Sequence, residues 1–214
     1  NGYYSEAFNE NIQIISINSI LYDSNNMFKI KNNKTDIQMK WLDEEFAKYQ
    51  NKEIVLLTHI PVNGGESTPF YNENMIRILS KYKPPVLHLA GHTHVDRFFL
   101  YKQNNKKIGF TLIPNSIVPS HNFPGFRIYK YYNYNNIDYE QYSCDITRKY
   151  LECKKLYTFS EIYQLPTINL DNLFILHDRL KSNKTLLKKY CDYTNYPVKC
   201  TNAEMLQNSL SDIM

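Results

Sequence analysis

The stretch Val86–Phe99, "VLHLAGHTHVDRFF", carries three histidines within seven residues, two of them flanking a single threonine. A fourth, His59, closes another apolar run, "EIVLLTH". Neutral imidazole is a good ligand for Zn, Fe, Mn and similar ions. In a turn, histidines at i and i+2 can diverge and address two neighbouring points. His92 and His94 in a turn would therefore suit two metal ions a few ångströms apart, each taking one imidazole. A lone histidine is more often ordinary packing or surface. That reading suits His88, inside an apolar run and expected to be packed and hydrogen-bonded, and His177 in "LHDRL", expected to be solvated on a helix. His121, in the loop "PSHNFPG", stays undecided. For His59, His92 and His94 the metal-ligand reading is the stronger one.

Elements must bring these residues together. Residues 12–18, "IQIISIN", read as a buried strand. A helix follows over about 37–50, capped by Thr35 or Asp36, with Met39, Leu42, Phe46 and Tyr49 along one face. "EIVLLTH" is a second strand and ends on His59. A second helix over about 70–83 aligns Tyr71, Met75, Leu79 and Tyr82, and Pro84-Pro85 stops it. "VLHLA" is a third strand, ending at Gly91, where a tight turn favours a residue without Cβ. Functional groups collect outside the carboxyl ends of strands in α/β sheets. His59 and the Gly91–His94 turn are thus expected at one sheet edge.

"VDRFFLYK", "KKIGFTLI" and "FRIYKYY" follow as strands without intervening helices. The pattern predicts an α/β fold with antiparallel later strands. From about residue 140 the texture turns helical, as in "LDNLFILHDRLKSNKTLLKKYC". A boundary is placed there, with residues 1–139 as the α/β part and 140–214 as a small, mostly helical subdomain carrying the cysteines.

Composition bounds the partners. Net charge is +4 with the lysines scattered, so no basic groove argues for nucleic acid. Lys102, Lys106 and Lys107 surround an Asn-Asn and read as a solvated hairpin tip. No stretch approaches the roughly 18–20 apolar residues of a membrane span, and any membrane contact is expected to be peripheral. The four cysteines, Cys144, Cys153, Cys191 and Cys200, form two C-x8-C pairs, too wide for zinc knuckles. Locality favours Cys191–Cys200 and Cys144–Cys153, although four cysteines allow three connectivities. Sequons at Asn33 and Asn183, both "NKT", agree with a secreted or lysosomal route.

A two-metal centre also needs carboxylates, one of which usually bridges the ions. Asp-x-His, Gly-Asp and Gly-Asn-His motifs are absent. The expectation is that this chain holds the C-terminal half of a site whose N-terminal half, on the same enzyme, lies upstream. With the abrupt start "NGYYSEAF", it reads as cut from a larger polypeptide.

"GYYS", "IQIISIN", "NKTDIQMKWL", "LLTHIPV", "AGHTHVDRF", "NFPGFRIYKY" and "EIYQLP" together resemble the acid sphingomyelinase-like phosphodiesterases, within the calcineurin-like metallophosphoesterases. Gly-His-Thr-His alone marks only the superfamily; its combination with "HIPV" and "PGFR" narrows it. "HIPVNGG" departs from the family's His-Ile/Val-Pro-x-Gly by an inserted Asn. The resemblance implies the C-terminal half of an α-β-β-α sandwich and two Zn²⁺ ions in the complete enzyme. His59 and His92 would share one ion, and His94 would ligate the other. It implies metal-assisted hydrolysis of a phosphodiester, with the acid histidine upstream and this chain alone inactive. The implied substrate is sphingomyelin, cleaved to phosphocholine and ceramide. Nucleotides or other phosphate esters are the alternative on the same scaffold. A non-catalytic binding protein that kept the scaffold is a further one.

Overall fold

Alternating burial organises the first strands. The computed structural model describes residues 2–26, 34–64, 66–82, 86–119, 122–201 and 213. Asn33, His121 and the expected helix stop at Pro84-Pro85 lie outside them. The chain divides into two compact units, residues 1–92 with 101–112, and residues 93–100 with 113–214.

A six-stranded sheet, most of whose residues belong to the first unit, has strand order β1-β2-β3-β4-β6-β5. Its strands are β1 (Tyr4–Ala7), β2 (Ile12–Ser16), β3 (Glu53–Leu57), β4 (Val86–Leu89), β5 (Arg97–Gln103) and β6 (Lys106–Ile113). The pairs β2–β3, β3–β4 and β4–β6 are parallel, and β1 adds an antiparallel edge that sequence reading did not foresee. Ile15, Ile54, Leu56 and His88 lie on one face and are buried to within 1% exposure. Between strands run α1 (Lys34–Lys48) and α2 (Pro69–Tyr82). α1 buries Met39, Leu42 and Phe46, and α2 buries Tyr71, Met75, Ile78 and Leu79. The 3–4 spacing of these residues is the helical periodicity that places one stripe in the core.

β6 was expected among antiparallel strands and instead rejoins the parallel sheet beside β4. The β5–β6 connection turns at Asn104-Asn105, both at positive φ, 49° and 62°. A two-residue hairpin whose twist matches its strands needs that conformation, and Asn tolerates it. The lysines of this tip are exposed.

The second unit holds a separate antiparallel sheet, β7 (Gly125–Asn133), β8 (Asn136–Asp145) and β9 (Glu152–Thr158). α3 (Phe159–Tyr163), α4 (Leu170–Ser182) and α5 (Lys184–Thr194) follow. The boundary expected between residues 139 and 140 falls inside β8. The segment beyond it is not mostly helical from its start, because β8 continues and β9 follows. Glu152–Lys155 of β9 are exposed, so this strand presents charge and not an apolar run. Lys155 and Lys130 both reach Glu140 on β8. Charged edge strands of this kind resist further pairing and read as surface in sequence.

β7 starts at Gly125 for a steric reason. A Cβ there would stand 2.7 Å from the Tyr142 carbonyl oxygen and 2.8 Å from Asn115 Cβ. Behind it, Arg127 and Asp96 form an ion pair with side chains 1% and 4% exposed. Arg127 also donates to Gln141 Oε1 at 2.8 Å and lies over the Tyr139 ring at 4.0 Å. The Tyr157 hydroxyl donates to the other Asp96 oxygen. Burial pushes the Asp96 carboxyl up, opposed by the Arg127 charge and the Tyr157 hydrogen bond. Tyr139, Tyr157, Phe159, Tyr163 and Tyr190 pack edge to face or tilted in the same core. Four of the chain's 19 tyrosines thus have a structural use in one core, which composition alone does not reveal.

Two disulfides, Cys144–Cys153 and Cys191–Cys200, lie in this unit. Cys144 and Cys153 stand directly opposite each other in the β8–β9 register. Strand pairing brings these sulfurs together without any Gly or Pro in the intervening loop.

Candidate metal centre

Two loops at the carboxyl ends of adjacent parallel strands build the centre. Beyond β3 the chain continues the ladder: Thr58 N–H donates to the Leu89 carbonyl at 3.1 Å, and Gly91 N–H donates to the His59 carbonyl at 3.1 Å. The turn bearing His59 is tied to the turn bearing His92 through backbone. Ser19 Oγ, 1% exposed, accepts from both His59 N–H and Ile60 N–H at 2.8 Å. These bonds satisfy donors that leave the strand and fix where His59 begins. A Cβ on Gly91 would make ordinary contact with His59 Nδ1, at 3.4 Å.

The two rings meet. His92 Nδ1 is 3.3 Å from His59 Nε2, with the planes at 76° and the centroids 5.2 Å apart. His92 is half-buried and His59 exposed. His92 has φ of 72° and His94 φ of 59°, both in the left-handed region. Such conformations cost about 1–3 kcal/mol outside glycine and cluster at functional sites. His94 belongs to the second unit and is half-buried.

The other edge of the His92 ring carries a feature that sequence reading missed. His92 Nε2 contacts Glu66 Oε2, and the ligand atoms of Asp23, Glu66 and His92 all lie within 4.8 Å of one another. Backbone holds these carboxylates. Ser24 N–H donates to the Glu66 carbonyl at 2.7 Å, and Asp23 bridges Ser67 in antiparallel fashion. Ser67 N–H and Oγ–H both donate to the Gly64 carbonyl, at 2.8 and 2.6 Å. The Asn that departs from the usual loop, Asn63, takes a left-handed φ of 59° and donates its N–H to Asn72 Oδ1 at 2.8 Å. Absent motifs therefore did not mean absent carboxylates. An acidic residue in a polar loop, seven positions after His59, carries no spacing signal that would single it out.

The remaining histidines do other things. His88 is buried, with Nε2 2.9 Å from Thr58 Oγ1 and Nδ1 2.7 Å from Thr111 Oγ1. Burial pushes its pKa down to about 3, so it stays neutral. His177 is 2% exposed, contrary to the expected solvated position. It follows Leu173 by four residues and precedes Leu180 by three, so it shares the buried face of α4. Asn183 is exposed, and its side chain accepts from Leu186 N–H at 3.0 Å as the N-cap of α5.

Residues 2–96 match the calcineurin-like phosphoesterase family. The chain is 28% identical over 225 residues to the cyclic GMP-AMP phosphodiesterase SMPDL3A of Homo sapiens, covering 91% of this chain and 48% of that protein. It is 24% identical over 222 residues to sphingomyelin phosphodiesterase A of Dictyostelium discoideum, covering 92% and 37%. Sphingomyelin phosphodiesterase 2 of Caenorhabditis elegans is 26% identical over 199 residues, covering 84% and 32%. The chain thus spans half or less of the length of these relatives. Residues 2–96 thus match a calcineurin-like phosphoesterase, and over most of its length the chain is similar to acid sphingomyelinase-like phosphodiesterases.

Proposed function

We propose that this chain is part of a metal-dependent phosphodiesterase in which His59 Nε2 and His92 Nδ1 hold one divalent ion. The separation of these two nitrogens, 3.3 Å, carries the reading. Two nitrogens bound at 2.0–2.1 Å to one tetrahedral zinc stand about 3.3–3.4 Å apart. The donor chemistry fits too, since imidazole suits zinc and neighbouring transition metals. His94 would hold a second ion. When bound, the ions supply Lewis-acid polarisation of a phosphoester and an activated water. The chain's own part is placement: Ser19 fixes the His59 turn, and Asp23 and Glu66 set negative charge beside His92.

On substrate, the relatives divide. Sphingomyelin, giving phosphocholine and ceramide, is supported by those named sphingomyelin phosphodiesterases. A nucleotide phosphodiester is favoured by the 28% identity to a cyclic GMP-AMP phosphodiesterase. A secreted or lysosomal location is supported by the two disulfides. Among the described residues no helix is long and apolar enough to cross a membrane.

The test is a parallel assay of the full protein, loaded with Zn²⁺, on sphingomyelin vesicles and on cyclic GMP-AMP. Turnover of one substrate, lost in His59→Ala and His92→Ala by more than the about 10–100-fold of outer-shell changes, is the expected result. Retained turnover in both variants would remove the pair from the site. Metal binding without turnover of either substrate would favour a non-catalytic binding protein.

A further inference from the structure

The two nitrogens of His92 face different partners. Nδ1 faces His59 Nε2, and Nε2 faces the Glu66 carboxylate. A neutral imidazole carries one N–H and one lone pair, and an ionised carboxylate only accepts. With the proton on Nε2, the ring donates to Glu66 and turns the Nδ1 lone pair toward His59. With the proton on Nδ1, a lone pair would oppose a carboxylate oxygen, which is repulsive. We propose that Glu66 is a positioning residue: it accepts from His92 Nε2–H, fixes the tautomer, and so makes Nδ1 the atom offered to the metal. This rests on the reading of His59 and His92 as ligands of one ion.

Three observations make Glu66 more than a passing surface carboxylate. Its backbone is held on the far side by Ser24 N–H, and its neighbour Ser67 pairs with Asp23. The His92 side chain is only 20% exposed, so its ring is restrained while Glu66, at 47%, reaches it. His92 sits at a positive φ of 72°, a conformation that clusters at functional sites. Histidine ligands of metals commonly donate their other N–H to a carboxylate, which fixes the ring and raises its basicity.

The opposite arrangement is chemically possible on the same residues. An ion could sit among Asp23, Glu66 and His92 Nε2, whose ligand atoms lie within 4.8 Å. The two arrangements differ in which nitrogen of His92 carries the proton.

The experiment is ¹⁵N-detected NMR of the histidine rings in the full chain, at about pH 8, where unperturbed histidine is neutral, without metal and with Zn²⁺. It is paired with Zn²⁺ affinities by titration calorimetry for wild type, Glu66→Ala, Glu66→Gln, His59→Ala and His92→Ala. The expected result is the Nε2–H tautomer of His92 in both states, with Zn²⁺ shifting Nδ1. Glu66→Ala should mix the tautomers and weaken Zn²⁺ by about 10–100-fold. Glu66→Gln, which keeps an acceptor oxygen, should recover part of the loss. An Nδ1–H tautomer, or Zn²⁺ on Nε2, overturns the proposal. Zn²⁺ affinity in Glu66→Ala within twofold of wild type, with the tautomer unchanged, also overturns it. If His59→Ala binds Zn²⁺ as wild type does, the shared-ion reading fails instead, and the metal-free tautomer still decides the role of Glu66.

Discussion

At the scale of single residues, steric room and proton state decide the site. Gly91 stands where a Cβ would make ordinary contact with His59 Nδ1, at 3.4 Å. Gly91→Ala should therefore be tolerated. Gly91→Val adds two methyl groups at that contact and should displace the ring, lowering Zn²⁺ affinity while the circular dichroism spectrum stays that of wild type. Equal affinities in the two variants would show that the close approach is immaterial. His88 illustrates proton state. Its folded pKa is depressed to about 3 by burial, against about 6.5 in an unfolded chain. Acid then favours the unfolded chain: the contribution is complete above about pH 6.5 and is lost as pH falls toward 3. Between pH 6.5 and 5 the loss is roughly 2 kcal/mol from this one group. Urea midpoints should fall across that window. His88→Gln, which cannot take up the proton, should flatten the fall. A His88 ring that titrates near pH 6.5 by NMR would contradict the burial argument.

At the scale of elements, the sequence exposed what has a period and hid what depends on pairing. The 3–4 spacing of Met39, Leu42 and Phe46 and the apolar runs ending at His59 and Leu89 were legible, because one buried face imposes them. β6 rejoining the parallel sheet was not, because strand partners are chosen by the whole sheet and leave no local signature. β9 was hidden behind Glu152–Lys155, whose charges belong to a sheet edge. The buried Asp96–Arg127 pair was visible only as two residues inside the quoted motifs "VDRF" and "PGFR". Its consequence is measurable. Arg127→Met leaves Asp96 buried without its counter-charge and should cost about 3–5 kcal/mol in urea unfolding. Arg127→Lys should also lose stability, since one ammonium cannot serve Asp96, Gln141 and Tyr129 with the fork of a guanidinium. A cost below about 1 kcal/mol for Arg127→Met would mean that Asp96 is not charged in the folded state. The Cys144–Cys153 link, formed between register partners, should add roughly 2–4 kcal/mol. Comparing wild type with the Cys144→Ser, Cys153→Ser double variant checks that figure.

At the scale of the whole molecule, two compact units divide the chain at residues that composition does not mark, 92/93, 100/101 and 112/113. The histidines that could do chemistry were found from their types and their places at strand ends. Glu66 and Asp23 were not, because they come from loops that only the folded backbone brings to His92. The proposed site therefore lies where β3 and β4 end, at the ion that His59 and His92 would share. The most direct measurement is anomalous diffraction at the zinc absorption edge from crystals of the protein soaked in Zn²⁺. An anomalous peak is expected at bonding distance, about 2.0–2.1 Å, from both His59 Nε2 and His92 Nδ1. A peak bound through His92 Nε2 and Asp23, with His59 uncoordinated, would contradict it, as would ordered zinc elsewhere with both imidazoles bare.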